Sequence, residues 1–284
     1  MEKGCGLAGA MTPGDMERKQ QDNVIKEKLS NIRRKILVMS GKGGVGKSTV
    51  AAYTALLLSH KGYKVGLLDV DLHGPSIPHL LNIQGGLEVA EDGVVKPFQH
   101  SKTLQVVSME MVLGDKDTAV IWRGPLKISA IKQFISDIEW GDMDYLIIDS
   151  PPGTGDEPLT VAQTIPDAEA LIVTTPQEVS LADVRKSINF CRQVNMKIIG
   201  LVENMSDFCC PHCAKKITIF GDGGGAKMAK YMDVPLLGEI PIEPQMVDRG
   251  DIGEMAALIG RNDLELNRAY DQVLARIENF DLTN

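Results

Sequence analysis

From Lys35 onward, short β-rich apolar runs alternate with stretches in which apolar positions recur at helical spacing. The runs are KILVMS, KVGLLDV, LQVVSM, DYLIID, EALIVTT, MKIIGLVEN and PLLGEI. Between them, residues 48–61, 126–139, 179–194, 222–231 and 263–279 have the composition and period of helices. This alternation predicts an α/β fold, one doubly wound and mainly parallel sheet with helices on both faces, over residues 35–284. Two stretches interrupt it. QGGLEVAEDGVVKPFQ, residues 84–99, predicts a small hairpin, and residues 205–220 form a polar insertion that carries cysteines. Upstream, Val24, Ile25, Leu29 and Ile32 recur at helical spacing and predict an amphipathic helix over 18–34. Residues 1–17, with four glycines, a proline and no apolar period, predict a mobile tail.

Composition narrows the partners. A chain of 284 residues with 43% hydrophobic and 24% charged residues can bury a large core, which excludes disorder over most of its length. Thirty Lys and Arg against 38 Asp and Glu leave a formal charge of −8. That balance argues against a surface built for nucleic acid and leaves small phosphorylated ligands open. No stretch approaches the roughly 18 apolar residues needed to cross a bilayer. The first thirty residues are too polar and glycine-dotted for a signal peptide, so a cytoplasmic protein without membrane contact is expected. Five cysteines are too few for a disulfide scaffold.

The segment Gly41-Lys42-Gly43-Gly44-Val45-Gly46-Lys47-Ser48 matches G-x-x-x-x-G-K-[ST], and it lies after a predicted strand and before a predicted helix. Its glycines let the backbone curl with N–H groups pointing inward, and the helix adds its positive end. Lys47 can reach β- and γ-phosphates, and the Ser48 hydroxyl can take a Mg²⁺ position. Thr49 closes the nucleotide-binding run. Lys42 is not required by the general pattern and stands at the mouth of the cradle, free to reach another subunit's phosphates or to remain in solvent. With Lys42 the segment resembles the deviant phosphate-loop ATPases, a SIMIBI-type fold with the signature K-G-G-x-G-K-[ST]. The resemblance implies an ATP-sandwich homodimer in which Lys42 crosses to the partner's nucleotide and, with Lys47, acts in catalysis.

Asp69-Val70-Asp71 ends the second predicted strand at the edge that carries the phosphate loop. By resemblance Asp71 is the switch I aspartate that positions the attacking water, and Asp69 lies nearer the Mg²⁺ shell; either could instead be a turn cap. Tyr145-Leu146-Ile147-Ile148-Asp149 resembles a Walker B strand whose carboxylate steadies Mg²⁺. The Gly- and Pro-dense Ser150–Asp156 that follows reads as switch II. Asn204 falls where that ATPase family places an adenine-contacting asparagine, and an Asn after a strand is equally typical of a turn.

Cys209-Cys210-Pro211-His212-Cys213 contains one C-x-x-C, half of a four-thiolate site. Cys5 sits in the tail, and Cys191 continues an apolar helical stripe and belongs to the core. A two-fold dimer supplies the missing pair without another cysteine. Spacing leaves iron–sulfur and structural zinc both open, with His212 a further zinc ligand; Cys209 is a spare thiol, an alternative ligand or, preferably, a bystander.

Together the motifs resemble the Mrp/ApbC iron–sulfur cluster carriers over about residues 30–275. They include Asp69 to Pro78, Trp122-Arg123-Gly124-Pro125, Asp149 to Asp156, and Cys210-Pro211-His212-Cys213 followed by Ile219-Phe220-Gly221. The resemblance implies that Cys210 and Cys213 from two chains hold a labile 4Fe-4S cluster. It implies further that ATP binding and hydrolysis govern transfer of that cluster from donors to apo-proteins. Two other classes share the phosphate loop. A ParA/MinD-like positioning ATPase would need a DNA- or membrane-binding surface, which the net acidity and the lysine-poor C-terminal helix do not offer. An electron donor of the nitrogenase-reductase kind would need a switch II cysteine, and residues 149–157 contain none.

Overall fold

The computed structural model describes residues 13–71, 74, 76–91, 93–113, 124–210, 212–213 and 215–280. Helix α1 (Pro13–Ser30) leads into strand β1 (Ile32–Ser40), helix α2 (Lys47–His60), strand β2 (Val65–Asp69) and the short α3 (Ile77–Leu80). The expected hairpin follows as β3 (Glu88–Val89) antiparallel to β4 (Val95–Lys96), then β5 (Phe98–Gln99), β6 (Leu104–Ser108) and α4 (Met109–Leu113). Next come α5 (Gly124–Asp137), β7 (Met143–Asp149), α6 (Asp156–Thr164), β8 (Glu169–Thr174) and α7 (Glu178–Gln193). The chain ends with β9 (Lys197–Cys209), β10 (Lys216–Ile217), α8 (Gly224–Tyr231), β11 (Leu236–Ile242), α9 (Pro244–Asp251) and α10 (Glu265–Asn279).

Among the described residues, nine strands form one sheet in the order β10-β9-β8-β1-β7-β2-β6-β5, with β11 also pairing β9. All pairs are parallel except the two short edge strands, β5 on β6 and β10 on β9. Alternate residues of the central strands feed two cores, one on each face. Ile36, Val38 and Ile147 pack with α2 and α10 on one side; Leu37, Met39 and Ile148 pack with α1, α5 and α7 on the other. Helix α2 is apolar almost all round, with Val50 through Leu58 buried, as expected of a helix enclosed by its own fold. The doubly wound architecture is therefore the one the pattern predicts.

Three boundaries differ. The first helix spans Pro13–Ser30 rather than 18–34, so residues 13–17 of the expected tail are helical, and residues 1–12 lie outside the described residues. Proline suits a first helical turn, which explains the earlier start. Ile25 and Leu29 are buried, but Val24 is 40% exposed and Ile32 opens β1. Strand β1 starts early because Arg34 is satisfied inside the fold, pairing with Glu169 at 2.5 Å and donating to the Ile277 carbonyl, while Arg33 stays exposed and lies 5.4 Å from the Tyr145 ring centre. The third difference is in the expected insertion. Residues 205–209 continue β9, with Phe208 opposite Ile242 and Cys209 opposite Lys216.

Candidate functional site

Strand β1 lies between β7 and β8, so its carboxyl end opens into the crevice where α/β sheets bind ligands. The loop from Gly41 to Gly46 leaves this end and enters α2. Gly44 and Gly46 have φ of +78° and +79°, a region that other residues adopt only with strain. Close approach adds a second constraint, since a Cβ on Gly41 would collide with the Asp183 backbone and one on Gly46 with the Asn204 amide. Asn204 Nδ2 donates to the Val45 carbonyl at 2.9 Å, and Ser40 Oγ donates to the Lys42 carbonyl at 2.8 Å. Among the described residues, no side chain caps α2 and no acid stands in its first turn, so its N–H groups remain open to an anion.

Lys47 Nζ lies 2.5 Å from Asp149 Oδ1 and 3.3 Å from Ser48 Oγ, with lysine and aspartate both buried. The other carboxylate oxygen of Asp149 is buried with no hydrogen-bond partner among the described residues. Asp69 is the register neighbour of Asp149, one strand over. Its Oδ1 accepts from the Asp71 N–H at 3.1 Å and its Oδ2 from Ser108 Oγ at 3.1 Å. Asp71 Oδ1 in turn accepts from the Gly74 N–H at 3.3 Å. Burial pushes the Asp149 carboxyl up, opposed by Lys47. Burial and then the Asp149 charge push Asp69 up to about 8. An orphaned carboxylate oxygen near a serine hydroxyl is a hard-oxygen donor set that fits a divalent cation.

The Asp69 shift sets a sign. The folded chain binds this proton more tightly than the unfolded chain, whose carboxyl has a pKa of about 3.9. The resulting stabilisation is complete below about pH 4 and is lost as the pH rises toward 8. Asp69→Asn keeps an acceptor for the Asp71 N–H and removes the charge. In metal- and nucleotide-free protein it is expected to raise Tm more at pH 8 than at pH 5, read by calorimetry; equal shifts at both values would refute the assignment.

The remaining predicted residues surround the loop. Lys42 Nζ donates to Gln177 Oε1 at 3.3 Å, just before α7. Thr49, Gly46 and Asn204 line a cavity of about 400 Å³ together with Phe220, Pro241, Glu243 and Met246. Phe220 belongs to a motif already named, whereas Pro241, Glu243 and Met246 carry no motif, although they lie at and just beyond the carboxyl end of β11, where ligands bind in this class of sheet. The Ser150–Asp156 stretch is tied to β1, with Gly153 N–H donating to Ser40 O at 2.8 Å and Ser150 N–H to Val38 O at 3.2 Å.

The cysteines occupy the tip of a hairpin. Strand β9 ends at Cys209, the Cys210 N–H donates to the Lys215 carbonyl at 3.0 Å, and β10 returns antiparallel. Hydrogen bonds from the backbone N–H groups of His212 and Cys213, and then from the Cys213 side chain, hold the Cys210 thiol below the ordinary range. The two sulfurs of the C-x-x-C are thus neighbours, Cys210 half-buried and Cys213 exposed. Among the described residues no group of three or more His, Cys, Asp or Glu could hold a metal ion, so His212 adds no third ligand there. Cys191 is a buried core thiol 3.4 Å from Met39 Sδ. Cys5, Trp122 and Arg123 lie outside the described residues.

A glycine-rich cradle between β1 and α2, with carboxylates on the ends of the two adjoining parallel strands, defines a P-loop NTPase. A family model described as "ParA: NUBPL iron-transfer P-loop NTPase" matches residues 31–278, and the chain belongs to that family. The chain is 46% identical over 259 residues to the iron-sulfur cluster carrier protein of Methanocaldococcus jannaschii, covering 91% of this chain and 88% of the relative. It is 47% identical over 275 residues to the cytosolic Fe-S cluster assembly factor CFD1 of Saccharomyces cerevisiae, covering 93% and 94%. These matches bear out the resemblance to Mrp/ApbC-type carriers. Among solved structures, a nucleotide-binding protein of Archaeoglobus fulgidus in complex with ADP superposes with a TM-score of 0.73 at 40% identity, covering 83% of this chain and 92% of that one. The cell division ATPase MinD of Pyrococcus furiosus, TM-score 0.62 at 24% identity over 87% and 99%, shares the fold. No helix among the described residues is long and apolar enough to cross a membrane.

Proposed function

We propose that this chain is a cytoplasmic ATPase that carries a 4Fe-4S cluster between two copies of itself, receives it from cluster donors and passes it to apo-proteins. The observation that carries this reading is the Cys210–Cys213 pair: two adjacent, accessible sulfurs, the Cys210 thiol held below its ordinary range by hydrogen bonds, with no third ligand gathered beside them among the described residues. Two thiolates do not complete a cluster site, and a second copy brings the other two. The carrier and assembly roles in the names of the archaeal and yeast relatives support iron–sulfur over zinc.

For the nucleotide, the α2 N-terminus and the loop N–H groups from Gly41 to Thr49 receive the phosphates, and the cavity beside Asn204 receives the adenosine. Ser48 and Asp149, with Asp69 behind them, would hold Mg²⁺, which neutralises β- and γ-phosphate charge when bound. Lys47 then leaves Asp149 for the phosphate oxygens. Asp71, held at the end of β2, orients the water that attacks the γ-phosphorus, breaking its bond to the ADP oxygen. Lys42 exchanges Gln177 for the partner's nucleotide, so hydrolysis belongs to the homodimer.

The test is anaerobic reconstitution with iron and sulfide, followed by metal and sulfide analysis, Mössbauer spectroscopy, and incubation with an apo 4Fe-4S enzyme with and without MgATP. Expected are about two iron atoms per chain in a dimer and recovery of acceptor activity that responds to MgATP. Protein that retains zinc alone and takes up no iron overturns the cargo, and recovery indifferent to ATP overturns the coupling. Neither nucleic acid nor membrane is a partner in this reading.

A further inference from the structure

Both ends of the cysteine-bearing segment attach to one place on β9. Upstream, the strand itself runs from Glu203 and Asn204 to Cys209. Downstream, the chain leaves β10 and turns through Gly221–Gly223, with φ of +98° at Gly221 and +62° at Gly223, into the first turn of α8. There the Gly225 N–H donates to Glu203 Oε2. Glu203 is 1% exposed and stands in register with Glu239 of β11. Burial pushes its carboxyl up, opposed by the Gly225 hydrogen bond, with Glu239 and Asp222 adding to the rise. A buried acid beside two other acids is costly, and what offsets that cost is the N–H it takes from the first turn of α8.

Its chain neighbour faces the other way, as successive strand residues do. Asn204 holds the Val45 carbonyl of the phosphate loop. One residue therefore grips the nucleotide cradle and the next grips the far end of the cysteine segment. A second contact runs alongside. The Pro176 carbonyl packs so closely on Gly224 that a Cβ there would collide with it, and the adjoining Gln177 accepts from Lys42.

We propose that Glu203 is a positioning residue that makes the cysteine pair respond to the nucleotide, by fixing the first turn of α8, where the cysteine segment ends, to the strand position from which Asn204 holds the phosphate loop. The physical warrant is a contiguous chain of hydrogen bonds and close backbone contacts. Nucleotide that displaces Lys42 or Asn204 moves Pro176 or β9, and Gly224 and Gly225 carry that movement to the hairpin tip. The inference rests on the carrier reading only for what the thiols hold. The link itself concerns the metal-free chain.

The experiment follows N-ethylmaleimide modification of Cys210 and Cys213, resolved by peptide mass, in the full-length metal-free protein with and without Mg²⁺ and a non-hydrolysable ATP analogue. In the wild type the analogue is expected to change the rate by about fivefold or more. Glu203→Ala is expected to bind the analogue as the wild type does while the ratio falls to about one. Glu203→Gln, whose amide oxygen still accepts from the Gly225 N–H, is expected to retain the response. A Glu203→Ala protein with the wild-type ratio overturns the proposal, as does a wild type that shows no response. Should Glu203→Ala fail to fold, hydrogen exchange at residues 221–226 of the wild type decides: a change on binding the analogue supports the link, and equal exchange overturns it. Iron and sulfide content, measured separately, reports failure of the carrier reading and leaves the thiol ratio readable.

Discussion

Lys47→Ala is expected to lower MgATP affinity by at least about a hundredfold and to remove turnover. In the proposed complex Lys47 donates to β- and γ-phosphate oxygens, and charge-assisted hydrogen bonds of that kind contribute about 1.5–3 kcal/mol each. Two such bonds correspond to about two to four decades in the dissociation constant. The nucleotide-free protein suffers as well. Asp149 is fully buried with Lys47 as its counter-charge and its second oxygen already unpaired, so removing the lysine strands a buried carboxylate. Breaking such a pair costs about 3–5 kcal/mol, reduced here by protonation of an acid whose pKa burial already raises. The two effects separate in a double variant. Adding Asp149→Asn to Lys47→Ala is expected to recover most of the lost Tm and none of the MgATP affinity, measured by calorimetric titration. Near-normal MgATP binding by Lys47→Ala would dismiss the phosphate-loop assignment.

What the sequence discloses follows from how locally each feature is encoded. The phosphate loop is legible because its chemistry needs contiguous residues, and the buried parallel strands are legible because they need apolar runs on both faces. The strand start at Ile32 is hidden because Arg34 looks like a solvent-facing helix residue until Glu169, far along the chain, is brought beside it and both are buried. The continuation of β9 is hidden by Met205, whose φ of +58° breaks the regular strand, and by the polar residues around it. Helix α9 escapes notice because it has only eight residues, opening with Pro244 after a Glu243 cap, too short for a period to emerge. Glu203 carries no local mark at all. Its meaning comes from Gly225, which lies beyond the cysteine hairpin, and from Asn204 beside it. Asp71 and Asp149, by contrast, are marked by their positions at strand ends, where an α/β sheet brings its chemistry together.

Replacing both Cys210 and Cys213 by alanine is expected to abolish cluster uptake and leave the fold intact. Both residues sit at a hairpin tip with accessible side chains, so the substitutions remove sulfur and little packing. A change at such a site is worth about 0.5 kcal/mol or less, a Tm shift of about 1–2 °C in a chain of this size. MgATP binding stays near wild type, because neither cysteine lines the phosphate loop or the cavity beside it. Iron falls from about two atoms per chain to none after anaerobic reconstitution, while Cys209→Ala, at a position paired with Lys216 in the strand register, keeps its iron. The sharing of ligands has its own signature. If wild-type and doubly substituted chains are unfolded, mixed in equal amounts and refolded, random pairing gives about one quarter dimers with all four Cys210 and Cys213 thiols. A site shared across a two-fold axis then retains about a quarter of the iron, because mixed dimers offer two thiolates and hold none. A site complete within one chain retains about a half. Iron at half the wild-type level, or unchanged in the double variant, would end the proposal that two copies meet around the cluster.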